Sequence, residues 1–158
     1  MKRREFLGSF ALATAGIALV SRSGFAAQAG TTKAAPIPMT VYKSPSCGCC
    51  KEWVTHAQKN GFAPKVVDMQ DLKQVKKDAG VPAELESCHT VLVGSYVVEG
   101  HVPADLVHKM LKEKPAIVGL AVAGMVVGSP GMEQGNQKQP YEVTAWTKAG
   151  KTSVYARR

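Results

Sequence analysis

Apolar positions between residues 39 and 158 come in short clusters split by glycine, proline and polar residues, and the spacing within each cluster predicts its element. Met39-Thr-Val-Tyr42 reads as a strand, and Lys43-Ser-Pro-Ser46 as the loop that leaves it. Trp53, Val54 and Ala57 then share one helical face, so a helix should start within residues 47–50 and run to about Asn60, where Gly61 stops it. Ala63–Asp68 predicts a second strand. Asp71 is placed to cap a short helix, Leu72 to Ala79, closed by Gly80 and Pro82. Thr90–Val93 and Tyr96–Glu99, separated by Gly94-Ser95, carry a hairpin signal. Pro103 suits the first position of a helix over Ala104–Lys112, whose Leu106, Val107, Met110 and Leu111 form one side. Ile117–Val122 is a glycine-broken apolar run, too short to span a membrane. A glycine-rich loop, Gly124–Met132, follows. Tyr141–Trp146 and Thr152–Ala156 form a last hairpin.

The predicted order is βαβα, then ββα. That makes an α/β domain with a mixed sheet, thioredoxin-like in its architecture, with a C-terminal loop plus hairpin extension. Its first helix begins at the end of the first strand, where open α/β sheets place their sites.

The N-terminus changes the boundaries of that domain. Lys2-Arg3-Arg4-Glu5-Phe6-Leu7 is a basic segment with twin arginines, Gly8–Val20 is a 13-residue apolar stretch, and Ala27-Gln28-Ala29 has the form of a cleavage site. Thirteen residues fall short of the roughly 18–20 needed to cross a bilayer. Residues 1–29 are therefore expected to be a twin-arginine export signal leading to the periplasm, residues 30–38 a flexible lead-in, and residues 39–158 the folded domain. No stable membrane span is expected after cleavage.

Charge adds little. The formal net charge is +8, of which the signal segment carries Lys2, Arg3, Arg4 and Arg22 against Glu5. The remaining lysines are scattered: Lys73, Lys76 and Lys77 on one helix, and Lys109, Lys112 and Lys114 on another. Solvated helix faces account for them. A nucleic-acid partner would require a continuous basic stripe with stacking aromatics, and none is seen.

The chemistry lies in the cysteines. Three of the four fall in Cys47-Gly48-Cys49-Cys50, at the loop–helix junction, and the fourth in Ser87-Cys88-His89-Thr90, just before a strand. Cys47-x-x-Cys50 fits a redox pair, with a nucleophilic thiol at a helix start and a second thiol to resolve the mixed disulfide. Cys49 sits awkwardly in that reading, because a third thiol between the two can scramble the bond. Three clustered thiolates suit a soft monovalent metal, since Cu(I) prefers sulfur in low coordination numbers. A structural disulfide from Cys47 or Cys50 to Cys88 is the plainer option in an oxidising compartment. In a thioredoxin-like fold the approach to the third strand lies against the helix-start cysteines, which would make Cys88 a fourth sulfur facing the other three. His89 beside it is a copper ligand or a packing histidine. Met125 and Met132, soft thioethers in the glycine-rich loop, are weak ligands or transfer partners, or else gap fillers. His101 ends a strand on the same face. His56 and His108 are expected to be exposed on helices.

Four segments together resemble one family: Tyr42–Trp53, Ser87–Thr90, Val98–Pro103, and Gly119–Val122 with Gly128–Glu133. It is the CopG-like family of small exported proteins, known as a domain of unknown function from bacterial copper- and metal-resistance loci. The resemblance covers Met39–Arg158. It implies a thioredoxin-like domain that binds Cu(I) through cysteines, with Cys47, Cys49, Cys50 and Cys88 at the ligand positions. The matching histidine and loop methionines occupy motif positions without an assigned role. The expected function is periplasmic Cu(I) binding for copper resistance or homeostasis, as chaperone or scavenger, with one or several ions in a thiolate cluster. Its partners would be copper ions and other periplasmic copper-handling proteins. A thiol-disulfide or copper oxidoreductase using Cys47 and Cys50 is the alternative, and a partner-binding domain with its cysteines oxidised is a third.

Overall fold

The computed structural model describes residues 35–158. The signal segment and residues 30–34 of the lead-in lie outside the described residues.

Strand β1 (Ile37–Lys43) buries Met39, Val41 and Lys43 on alternate positions. It leads directly into helix α1 (Gly48–Lys59), which buries Cys50, Trp53, Val54 and Ala57 along one face. Strand β2 (Phe62–Asp68) then pairs parallel with β1. Helix α2 (Lys73–Asp78) follows, and β3 (His89–Val93) pairs antiparallel with β1 on its other side. The turn Gly94-Ser95 joins β3 to β4 (Tyr96–Glu99), with Val93 opposite Tyr96. Helix α3 (Ala104–Glu113) leads to β5 (Gly119–Ala121), β6 (Glu142–Trp146) and β7 (Thr152–Arg157). The seven strands form one mixed sheet in the order β2-β1-β3-β4-β5-β6-β7.

Around β4 and β5 the sheet is buried on both faces, which explains where the sequence pattern misleads. β4 sends Val98 into the main core, with Trp53, Val107 and Met110 of α1 and α3. It sends Val97 into a second cluster with Val81, Leu85, Ala121 and Trp146. A strand covered on both sides has no polar alternation. The same holds for β5, which the sequence shows only as part of the apolar run 117–122. All three of its residues are buried, and it pairs parallel with β4 and antiparallel with β6.

Several local expectations shift. Pro103 is the N-cap of α3 rather than its first helical residue, because its φ of −60° comes with an extended ψ of 137°. Asp71 accepts a hydrogen bond from the Lys73 N–H at 2.8 Å, although Leu72 occupies the cap position itself. His56 and His108 are half-buried structural residues, not free surface groups. His56 Nε2 accepts the Ala104 N–H at 3.2 Å, which serves an otherwise orphaned donor at the start of α3. His108 stacks on Phe62 at 4.4 Å and reaches Asn60 O at 2.7 Å.

Lys76 is the largest correction to the charge reading. It is 6% exposed, and its ammonium pairs with the fully buried Glu99 carboxylate. Thr90 lies opposite Glu99 in the β3–β4 register, and its hydroxyl donates to Glu99 Oε2 at 2.7 Å. The same carboxylate accepts the Ser87 N–H at 2.6 Å. A buried charge persists only when paired and hydrogen-bonded, and Glu99 has three donors. This network anchors the backbone immediately before Cys88.

Candidate metal centre

Two pairings bring the chemistry to one place. In the antiparallel β1–β3 register Lys43 faces His89, so the start of β3 lies beside the end of β1, where the cysteine loop begins. In the β3–β4 register Thr90 faces Glu99, so Gly100 and His101, leaving β4, lie beside Cys88 and His89. Gly100 N–H donates to His89 O at 2.9 Å and closes that approach. Gly100 has φ +70°, and a Cβ there would lie 2.4 Å from Ser87 Oγ and 2.6 Å from Val122 O. Only glycine fits between these three segments.

Cys47 is the N-cap of α1, and its sulfur accepts the Cys50 N–H at 3.3 Å. It is disulfide-bonded to Cys50, while Cys49 and Cys88 are free thiols. The plainer alternative, a structural bond from Cys47 or Cys50 to Cys88, is therefore not the one formed. Residues 47 and 50 are one helical turn apart, so their sulfurs meet without drawing in β3. Cys49 Sγ lies 3.5 Å from Cys47 Sγ and 4.0 Å from Cys88 Sγ. All four sulfurs lie within 4.8 Å of one another. Cys50 is fully buried and the other three are partly exposed, so the group is open to solvent away from Cys50.

Imidazoles stand on the inner side. His101 Nε2 is 3.0 Å from Cys88 Sγ and His89 Nδ1 is 3.7 Å from it. The two rings are edge to face at 5.0 Å, and Trp53 packs against His89 at 4.8 Å. Trp53 is itself fixed by a 3.0 Å bond from Nε1 to Val102 O. His101 Nδ1 lies 2.8 Å from Pro130 O. A carbonyl oxygen can only accept, so the proton is assigned to Nδ1 and the Nε2 lone pair faces the thiol.

Pro130 belongs to the glycine-rich loop, which Gly131 seats on α1. Gly131 has φ +83°, and a Cβ there would lie 2.7 Å from Trp53 N and 2.8 Å from Cys49 O. Met132 is half-buried on this loop, whereas Met125 is 62% exposed. The structure thus groups Cys47, Cys49, Cys50 and Cys88, places His89 against them, and leaves Met125 standing in solvent. His101 makes the shortest contact to any of the sulfurs apart from the disulfide. Its sequence signal was slight, a histidine two residues beyond a strand end and after a glycine.

Burial sets the protonation states. It pushes the Cys88 thiol up to about 12, reinforced by the neighbouring Cys49. Burial also holds His89 well below its ordinary value, with His101, Lys76 and Lys43 adding to the effect. His101 is lowered by burial as well, against the pull of the Pro130 carbonyl. At neutral pH this is a set of soft or borderline donors with neutral imidazoles, and no carboxylate belongs to either metal-spaced group.

Residues 85–132 match the family described as protein of unknown function, DUF411. No curated protein matches the chain. Two solved structures do, titled copper resistance protein CopG, form 2 and form 1. Each is 43% identical to this chain with a TM-score of 0.74, covering 78% of this chain and 98% of the other. That identity over nearly the whole length of a relative, with a cysteine group spaced for metal, shows that this chain belongs to the CopG family of copper resistance proteins.

Proposed function

We propose that the protein is a periplasmic Cu(I)-binding protein of copper resistance or homeostasis, a chaperone or scavenger that holds copper on Cys47, Cys49, Cys50 and Cys88. The observation that carries this reading is the meeting of four sulfurs, within 4.8 Å, from two segments 38 residues or more apart. Cu(I) favours few, soft ligands, and thiolates can bridge, so four sulfurs suit a small cluster of several ions. The absence of carboxylates in the group disfavours hard cations.

In the disulfide form only two of the four sulfurs are free. Two electrons and two protons from a dithiol reductant convert the Cys47–Cys50 bond to two thiols, and Cu(I) then displaces thiol protons as it binds. His89 adds an imidazole donor. Met132 and the exposed Met125 serve as weak ligands or transfer partners on the way in or out. Other periplasmic copper-handling proteins are the expected exchange partners.

The remaining parts of the reading fit this role. The pairing of β1 with parallel β2 and antiparallel β3, and of β3 with β4, supports a thioredoxin-like domain over residues 39–158. Residues 1–29 act as a twin-arginine signal, and the lead-in that follows ends sooner than residue 38, because Ile37 and Pro38 already belong to β1. Among the described residues no helix is long and apolar enough to cross a membrane.

A second reading is favoured by the disulfide itself. Cys47, partly exposed at a helix start, is the sulfur an incoming thiolate can reach, and the buried Cys50 is the leaving and resolving thiol. That describes a thiol-disulfide or copper oxidoreductase. Cu(I) titration of the reduced protein separates the two readings. Loss of the thiolate-cluster share of the copper capacity in Cys47→Ser/Cys49→Ser/Cys50→Ser supports the copper role. Disulfide-reductase turnover that needs Cys47 but not Cys49 supports the second.

A further inference from the structure

The sulfur group is not the whole of the metal-ligating chemistry here. Cys88 Sγ, His89 and His101 form a second set whose donor atoms also lie within 4.8 Å of one another. Cys88 is the only residue the two sets share. The distinction matters because the Cys47–Cys50 disulfide removes two donors from the first set and none from the second.

The second set has the features of a prepared site. Both imidazoles are fully buried, so their rings cannot wander. His101 Nδ1 is committed to Pro130 O, which leaves Nε2 aimed at Cys88 Sγ from 3.0 Å. A ligating histidine is ordinarily oriented in this way, through a hydrogen bond from its other nitrogen. His89 presents Nδ1 to the same sulfur at 3.7 Å, while its Nε2 has no hydrogen-bond partner among the described residues. A buried polar nitrogen without a partner is costly, and packing alone does not account for placing a histidine there. One sulfur and two neutral imidazoles form a donor set suited to copper.

We propose that Cys88, His89 and His101 make a separate sulfur–imidazole copper subsite that survives formation of the Cys47–Cys50 disulfide. Oxidation of the cysteine pair then lowers the protein's copper capacity without emptying it. The bridging Cys88 lets an ion pass between the sulfur set and the imidazole set as the pair opens and closes. This inference rests on the Cu(I) reading above and extends it to the oxidised protein.

The test is anaerobic Cu(I) titration of the full protein in two states, reduced and disulfide-bonded, against a chromogenic chelator. X-ray absorption is then recorded on the copper-loaded disulfide form. The disulfide form is expected to hold about one ion in a mixed sulfur–nitrogen shell with imidazole scattering. His101→Ala should weaken that binding by at least about tenfold, with a smaller effect on the reduced protein. The absorption measurement uses the unaltered protein, so it decides even where the variant fails to fold. An all-sulfur shell, or no copper in the disulfide form while the reduced form binds, overturns the subsite and leaves the Cu(I) reading standing. No copper in either form overturns both.

Discussion

Cys49 Sγ and Cys88 Sγ stand 4.0 Å apart although 39 residues separate them in the chain. The β1–β3 register makes the contact, and the buried Lys76–Glu99 pair holds it through Ser87. Cys49 is also the residue that dithiol exchange does not need. Cys49→Ser should therefore leave the Cys47–Cys50 disulfide intact by thiol counting, yet weaken Cu(I) binding by the reduced protein by about tenfold or more. Unchanged copper affinity would favour the oxidoreductase reading.

Copper uptake should release protons. Cys88 carries its proton at neutral pH because burial has pushed it up to about 12. Each thiol proton displaced makes affinity rise about tenfold per pH unit. Chelator competition at several pH values between about 6 and 8 checks this slope, and a flat profile would mean that no protonated thiol takes part.

Stability should fall in mild acid. His56, His89 and His101 are all lowered from 6.5, each chiefly by burial. Below that value the unfolded chain takes up protons that the folded chain refuses. The stabilisation from neutral imidazoles is full above about pH 6.5 and is lost as pH falls toward the lowered folded-state values. Thermal unfolding of the metal-free disulfide form at about pH 7.5 and about pH 5.5 measures it, with a lower midpoint expected in acid.

Lys76→Ala should be severely destabilising. It strands the Glu99 carboxylate with no counter-charge, a change that costs about 3–5 kcal/mol for a buried pair. Denaturant unfolding gives the value. Lys76→Met with Glu99→Gln should recover part of it, since a neutral amide needs no counter-charge.

Gly131→Ala tests the loop's role in orienting His101. The substitution forces a methyl toward Cys49 O and Trp53 N at a left-handed φ, so the loop must lift and Pro130 O must leave His101 Nδ1. A backbone conformation of that kind costs of order 1–3 kcal/mol for a residue other than glycine. The imidazole signals of His101 in NMR spectra should shift with it, and unmoved signals would show that the loop does not set the ring.

Much of this was legible in the sequence, for definable reasons. Trp53, Val54 and Ala57 share a helical face, and Gly94-Ser95 marks a two-residue turn, so α1 and the β3–β4 hairpin follow from local pattern alone. The cysteine cluster announced itself by composition. The rest depends on pairing. β5 is hidden because burial on both faces removes the alternation that marks a strand. Lys76 looks like one of three solvated lysines until β4 places Glu99 beneath it. His101 reaches the site only through the register that sets residue 99 opposite residue 90. Signals of this kind lie in the sheet and not in any window of sequence.

Cu(I) titration of the fully reduced protein under anaerobic conditions, followed by thiolate-to-copper absorption and free-thiol count, tests copper binding by the four cysteines most directly. The expected result is saturable binding that consumes the reactivity of Cys47, Cys49, Cys50 and Cys88 together and that falls, in the triple serine variant of residues 47, 49 and 50, to no more than the ion held by Cys88, His89 and His101. Full copper capacity retained in that variant, or four thiols that stay reactive in the presence of copper, would contradict it.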